Sequence, residues 1–289
     1  MAALWQYFLA GAVNGAIYAL VAAGFVLIYR ITGIINFAQG EFVMIGAMTA
    51  ATLAATGMPS LEAAAIAVVV AAVAGGLSYV LAIRPARKAT GVTLIFITLG
   101  LDVALRGLGL IVWGTNPLSL NAFTAGASIG VFGGVIQPQA LWVFGSDVLV
   151  FAALYVFFQR TYLGTAVRAA VASPAIASTF GIPLRTFAFW SFVVAAAIGG
   201  LGGVVIAPIT SATYDMGLTF GLAGFVAAVL GGLESIPGAL VGGFLLGVVE
   251  DVSGGLLATG WEQGVGFLIL VLVLVFRPQG LLGRRVRSA

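Results

Sequence analysis

Few side chains in this sequence are equipped for chemistry. His and Cys are absent, which removes imidazole bases, thiol catalysis, disulfides and most zinc or iron sites. A serine nucleophile would lack its base. Glu250 and Asp251 are adjacent carboxylates, but neighbouring helical positions point about 100° apart, so both cannot easily face one site. There is no GxxxxGK[ST] phosphate loop, so nucleotide hydrolysis would have to come from another chain. What remains is a set of polar groups inside apolar runs, where they are expensive. Asp102 and Arg106 are four apart in "VTLIFITLGLDVALRGLGLIVW", on one helix face, where they can pair. They form either a self-neutralising pair facing the bundle or the lining of a pathway. Asn14 and Tyr18 also share a face, suited to an interhelical hydrogen bond or to that pathway. Asn36, Gln39 and Glu41 cluster in "NFAQGE", just after Arg30. Asn36 can cap the following helix and Glu41 lies near its positive end; alternatively, the cluster lines or gates the inner mouth of a route through the bundle. Glu234, in "GGLESIPG", is either a solvated turn carboxylate or part of such a route. All of this is the chemistry of binding and guiding, not of bond making.

The elements that carry these groups are greasy. Hydrophobic residues make up 62% of the 289, charged residues only 7%, and the mean hydropathy is +1.18. A soluble domain carries about 25% charge, so most of this surface must face lipid. Apolar runs predict spans at roughly 5–29, 34–57, 61–83, 92–113, 145–159, 187–208, 218–233, 237–257 and 264–276. Some of them could be half-helices, and losing two would leave the ends where they are. Five GxxxG pairs, Gly11–Gly15, Gly199–Gly203, Gly217–Gly221, Gly238–Gly242 and Gly243–Gly247, predict close helix crossings. With the N-terminus outside, 11 of the 12 basic residues fall inside, and Arg106 lies within a span; this fixes the expected orientation, with the C-terminus cytoplasmic. The N-terminal stretch has no basic region, so no cleaved signal peptide is expected. The pI near 9.5 reflects a net charge of only +3, spread between apolar runs, so no nucleic-acid partner is expected.

Two loops exceed a simple turn. One, about 114–145, is Gly-rich and nearly uncharged. The other, 160–186, carries its own helix signals. Ser173 suits an N-cap and Pro174 the first helical position. Gly181 can close the helix, and Pro183 prevents its resumption. Two turns are marginal alone, so 174–180 needs something to pack on. Ala177 is among its small residues, Ile176 and Phe180 are four apart, and Arg168 and Arg185 flank the segment.

The stretch "NGAIYALVAAGFVLIYRITGIINFAQGEFVMIGAM" resembles the first membrane segments of branched-chain amino-acid ABC transporter permeases of the LivH type. Asn14, Gly15, Tyr18, Ala19 and Leu20 match the family's Asn-Gly-x-x-Tyr-Ala-Leu. Asn36, Phe37, Ala38, Gly40 and Glu41 match its Asn-Phe-Ala-His-Gly-Glu, with Gln39 in place of the usual His. The likeness continues through "RAAVASPAIASTFGI" and "VLGGLESIPGALVGGFLLGVVE". It implies an all-α polytopic protein of about eight to nine transmembrane helices, a single permease domain over 1–289 in the bacterial inner membrane, packed against lipid. It also implies a second homologous permease, two cytoplasmic ATPases and an extracytoplasmic binding protein as partners, with ATP and Mg held by those ATPases and no cofactor in this chain. The 174–180 segment would be the coupling helix that docks into an ATPase groove. Related urea permeases tend to have Met where this chain has Phe37, which favours amino acids. Asp102 stands where a small polar residue is usual, which points to another hydrophobic amino acid or an organic acid. The rival from a different class is a self-sufficient secondary transporter that uses Asp102, Arg106 and Glu41 on a coupling ion.

Overall fold

The computed structural model describes residues 2–86, 89–172, 183–256, 260, 262–277 and 279–283. Among them are ten α-helices: α1 (Ala2–Thr32), α2 (Gln39–Ala55), α3 (Ser60–Ser78), α4 (Gly91–Trp113), α5 (Gln139–Arg160), α6 (Tyr162–Ala172), α7 (Leu184–Thr210), α8 (Met216–Gly231), α9 (Ile236–Leu256) and α10 (Glu262–Phe276). Each of the nine apolar runs carries a helix among the described residues. Six helices, α1, α3, α4, α5, α7 and α9, are long and apolar enough to cross a membrane. The others fall short: α2 has 17 residues and α8 has 16, about 25 Å each against a hydrocarbon core of about 30 Å.

Three features depart from the sequence expectations. The Gly-rich loop carries an antiparallel hairpin, β1 (Ile129–Val131) and β2 (Gly134–Ile136), turned at Phe132 and Gly133, both with positive φ. Such a two-residue turn matches the twist of its strands. The hairpin is tied to α1, with Trp5 Nε1 donating to the Val131 carbonyl at 2.9 Å and Gln6 bonded to both backbone groups of Val135. Secondly, α5 begins at Gln139, not near 145, because the buried Gln139 amide donates to the Val205 carbonyl at 2.9 Å and accepts from Phe123 N at 3.1 Å. Those bonds anchor the helix start, and Gly145 and Asp147, six and eight residues further on, interrupt the apolar run that would have revealed it. Thirdly, α6 fills the start of the 160–186 loop. Ser173, Pro174, Ile176, Ala177, Phe180 and Gly181, where the coupling helix is expected, lie outside the described residues, as do Arg87, Lys88, Arg284, Arg285 and Arg287.

Helix α1 is the central post. It packs along α9 through glycine: a side chain at Gly15 would sit 2.8 Å from the Phe244 Cα, and one at Gly11 would sit 2.6 Å from the Val248 Cα. Gly243 and Gly247 close the same crossing from α9. Gly199 and Gly203 of α7 receive α2, Gly217 and Gly221 of α8 receive Gly40, and Gly238 and Gly242 of α9 receive α8. All five GxxxG pairs therefore sit at helix crossings, where the missing Cβ lets backbones touch. By contrast, α4 lies against the bundle on one stripe only and is exposed over Val92, Phe96, Val103, Ile111 and Val112.

One end of the bundle gathers Arg30, Arg84, Arg168 and Arg185 around a cavity of about 920 Å³. The hairpin lies beside the N-terminal start of α1, at the opposite end. A turn of π-helix, Tyr79–Ile83, continues α3 into the basic end, and Tyr79 lines the cavity.

Candidate functional site

Thr98, Asp102 and Arg106 recur every four residues on α4 and form its single polar stripe. The stripe faces the start of α2. The Thr98 hydroxyl lies 3.2 Å from the Ile35 carbonyl and 2.9 Å from that of Ile95. Arg106 Nη2 donates to Asp102 Oδ2 at 2.6 Å, and Arg106 Nε donates to Glu41 Oε1 at 3.1 Å. Arg106 thus bridges two carboxylates, one on its own helix and one on α2. The Glu41 side chain is fully buried, whereas Arg106 keeps 23% of its side-chain surface.

The cluster lies deeper than the inner mouth that the sequence suggests. After α1 ends at Thr32, residues 33–38 climb back into the bundle. The Gln39 amide donates to the Ala195 carbonyl at 2.8 Å, roughly 16 Å along α7 from Leu184. It also packs against Gly24 of α1 and Gly199 of α7. On the other side, the chain leaves α7 at Thr210, returns inward, and starts α8 at Met216. The two short helices meet N-terminus to N-terminus. Any side chain at Gly40 would strike the Gly217 carbonyl, and one at Gly217 would lie 2.6 Å from Glu41 Oε2. Phe37 packs against Phe225 of α8 with the rings tilted at 49° and their centroids 5.2 Å apart. The apolar runs 34–57 and 218–233 are therefore half-helices that end inside the bundle.

This placement explains why a carboxylate stands there. Two helix N-termini facing each other bring together two partial positive charges of roughly +0.5 each. Glu41 and Asp102 against one Arg106 supply about one net negative charge, so the junction is close to balanced. The expected cap is corrected by the geometry: α2 starts at Gln39 with Ala38 as its cap residue, and the Asn36 side chain caps nothing. Both Asn36 amide atoms, Gln39 Oε1 and Glu41 Oε2 are buried without a hydrogen-bond partner among the described residues. Asn36, Gln39 and Glu41 all have zero relative exposure.

The other candidates from the sequence lie elsewhere. Asn14 donates to Asp251 Oδ2 at 2.9 Å, joining α1 to α9. Tyr18 lines a separate crevice of about 120 Å³ with Thr219 and Glu250. Glu250 and Asp251 serve different neighbours, as their angular separation requires: Glu250 lies against Gly266 of α10 and Asp251 meets Asn14. Glu234 is exposed at the rim of the basic cavity. Arg168, bonded to Gln159 and Thr165 at 3.3 Å, and Arg185 line the same cavity. Sequence reasoning missed Thr98 and the buried Asp147; it read Gly217 as a crossing glycine and Gly40 as part of a motif, without bringing the two together. The four-residue recurrence of Thr98 with Asp102 and Arg106 is a signal that could have revealed the first.

A helical bundle with six membrane-crossing helices, two facing half-helices and a buried ionic junction above a basic cavity is the architecture of a membrane permease. Comparison with known proteins agrees. A family described as "Branched-chain amino acid transport system / permease component" matches residues 7–274. The high-affinity branched-chain amino acid transport system permease protein LivH of Salmonella typhimurium is 32% identical over 95% of this chain and 94% of its own length. BraD of Pseudomonas aeruginosa, described in the same terms, is 32% identical over 96% of this chain and 95% of its own. Among solved structures, PsaBC from Streptococcus pneumoniae in complex with Fab superposes with a TM-score of 0.52, at 14% identity, covering 94% of this chain and 92% of that one; this likeness concerns the fold alone. The chain belongs to the branched-chain amino acid transport system permease family. It is a multi-pass membrane component of an ABC transporter, a family that works with ATPase and binding-protein partners.

Proposed function

We propose that this chain carries branched-chain amino acids across the bacterial inner membrane as one of two homologous permease subunits, driven by two cytoplasmic ATPases and fed by an extracytoplasmic binding protein. The observation that carries this reading is the match, at 32% identity along nearly the whole chain, to two permeases described as moving those substrates. The basic end would face the cytoplasm, in line with the positive-inside rule, which puts the N-terminus outside. The 920 Å³ cavity then opens towards the ATPases, and Ser173 to Gly181, flanked by Arg168 and Arg185, would form the docking segment. Hydrolysis of ATP, with Mg, belongs to the partners and biases the permease between inward- and outward-open states. The route for substrate passes the α2–α8 junction, through which Asn36, Gln39, Glu41, Asp102 and Arg106 act. Asn14 and Tyr18 support the α1–α9 wall beside it, and Glu234 stands at its exit.

The test is reconstitution. Proteoliposomes with the two permeases, the ATPases and the binding protein should accumulate labelled leucine when ATP is supplied. This chain alone should neither hydrolyse ATP nor accumulate leucine. Ion-driven uphill uptake by the chain alone would overturn the reading in favour of a secondary transporter.

A further inference from the structure

We propose that Glu41 is the group that receives the substrate's ammonium, and that it does so by exchanging the N-terminus of α8 for that ammonium as the two half-helices part. The proposal rests on the amino-acid reading above and adds which end of the substrate is read, and where. Glu41 has two oxygens in different situations. Oε1 is held by Arg106 at 3.1 Å. Oε2 has no hydrogen-bond partner among the described residues and lies against the first turn of α8, where the positive helix end is its electrostatic counterpart. If α8 moves away, Oε2 loses that counterpart, and a cation is what replaces it at least cost.

The atoms nearby in sequence fit a primary ammonium. Such a group has three donors. The buried acceptors left over in this six-residue stretch are Glu41 Oε2, Asn36 Oδ1 and Gln39 Oε1; Gln39, two positions from Glu41, turns to α7 on the other side of the helix, which leaves Glu41 Oε2 and Asn36 Oδ1 for the ligand. A buried carboxylate oxygen without a partner is costly, and a cation is the ligand that would satisfy it. A carboxylate ligand fits poorly. The Arg106 guanidinium already serves Glu41 and Asp102, and Asn36 Nδ2 is the one unpartnered side-chain donor in the stretch. That single donor suffices for one carboxylate oxygen of a zwitterion but not for an organic acid without an ammonium. The stretch also stands next to an entrance, because Ile34 and Gly33, just before Asn36, line the 920 Å³ cavity.

The test uses the purified full-length chain in nanodiscs, with binding read by saturation-transfer NMR. The probes are L-leucine, leucinol, which keeps the amine without the carboxylate, and 4-methylpentanoate, which keeps the carboxylate without the amine. Uptake of leucine by the complete importer is measured in parallel. Leucine and leucinol should bind and compete with each other, and 4-methylpentanoate should not. Glu41→Gln should weaken both ligands by about tenfold or more, as expected for losing a charged hydrogen bond. Asn36→Ala, which leaves the Arg106 bridge intact, guards against misfolding of the first variant and should weaken leucine several-fold at an unchanged melting temperature. Competition by 4-methylpentanoate as strong as by leucinol, or leucine binding indifferent to both variants, overturns the proposal. So does an importer that takes up leucine while the chain binds none; in these cases the amino-acid reading stands. An importer that takes up no branched-chain amino acid removes that reading itself.

Discussion

At the scale of single residues, the informative group is Arg106. From spacing alone it pairs with Asp102, and this pairing is visible in the sequence because helical geometry places i and i+4 together. Its second partner, Glu41, is 65 positions away and belongs to a helix whose depth no local pattern reveals. The difference matters for mutation. With only a pair, removing either partner would harm the fold equally. In the observed bridge, Asp102→Asn leaves the buried Arg106–Glu41 contact in place, while Arg106→Gln strands two carboxylates. Breaking a buried ionic contact from one side costs about 3–5 kcal/mol. Arg106→Gln should therefore lower thermal stability in detergent by an amount in that range, and Asp102→Asn by about 1 kcal/mol or less. The neutral triple variant Glu41→Gln/Asp102→Asn/Arg106→Gln should regain much of the loss. Equal effects of the two single changes would show that Glu41 is not part of the bridge.

At the scale of elements, the sequence is a good guide to helix positions and a poor guide to their depth. Nine apolar runs are nine helices, because backbone groups in lipid must be satisfied within the segment. Yet "EFVMIGAMTAATLAA" and "GLTFGLAGFVAAVLG" look like any other span. They are half-helices because Gln39 and Gly40 are held by α7 and α8, contacts that only the assembled bundle supplies. The hairpin escaped for a different reason: "IGVFGGVI" is short, and its Gly residues read as loop. Glycine spacing, in contrast, was fully legible, since each GxxxG pair closes a crossing. The head-to-head contact can be tested by steric means. Gly217→Ala would place a methyl group 2.6 Å from Glu41 Oε2, and over-packing of this kind costs about 1–3 kcal/mol. It should lower the melting temperature and slow uptake. Gly100→Ala, on α4 with nothing within 4 Å, is the matched control and should be neutral or stabilising by about 1 kcal/mol, since Ala favours helix.

At the scale of the whole molecule, the account is of two long helices, α1 and α7, each followed by a short chain that turns back into the bundle and starts a half-helix. One pair runs from the hairpin end and back, the other from the basic end and back, so the two half-helices oppose each other near mid-depth. Opposed half-helices concentrate dipole ends and unsatisfied groups at one level, which is where transporters of several architectures place their substrates. On the proposed route, the closed junction lies across the path above the basic cavity, so transport would require α2 and α8 to separate. Because the chain has no cysteine of its own, it adds no background to a cross-linking test. Phe37 and Phe225 face each other across the junction with centroids 5.2 Å apart. The double variant Phe37→Cys/Phe225→Cys, joined by a short methanethiosulfonate cross-linker in the complete importer, should lose ATP-driven leucine uptake and regain it when the link is reduced. Uptake by the cross-linked importer at the rate of its reduced form would contradict the claim that substrate passes between these half-helices.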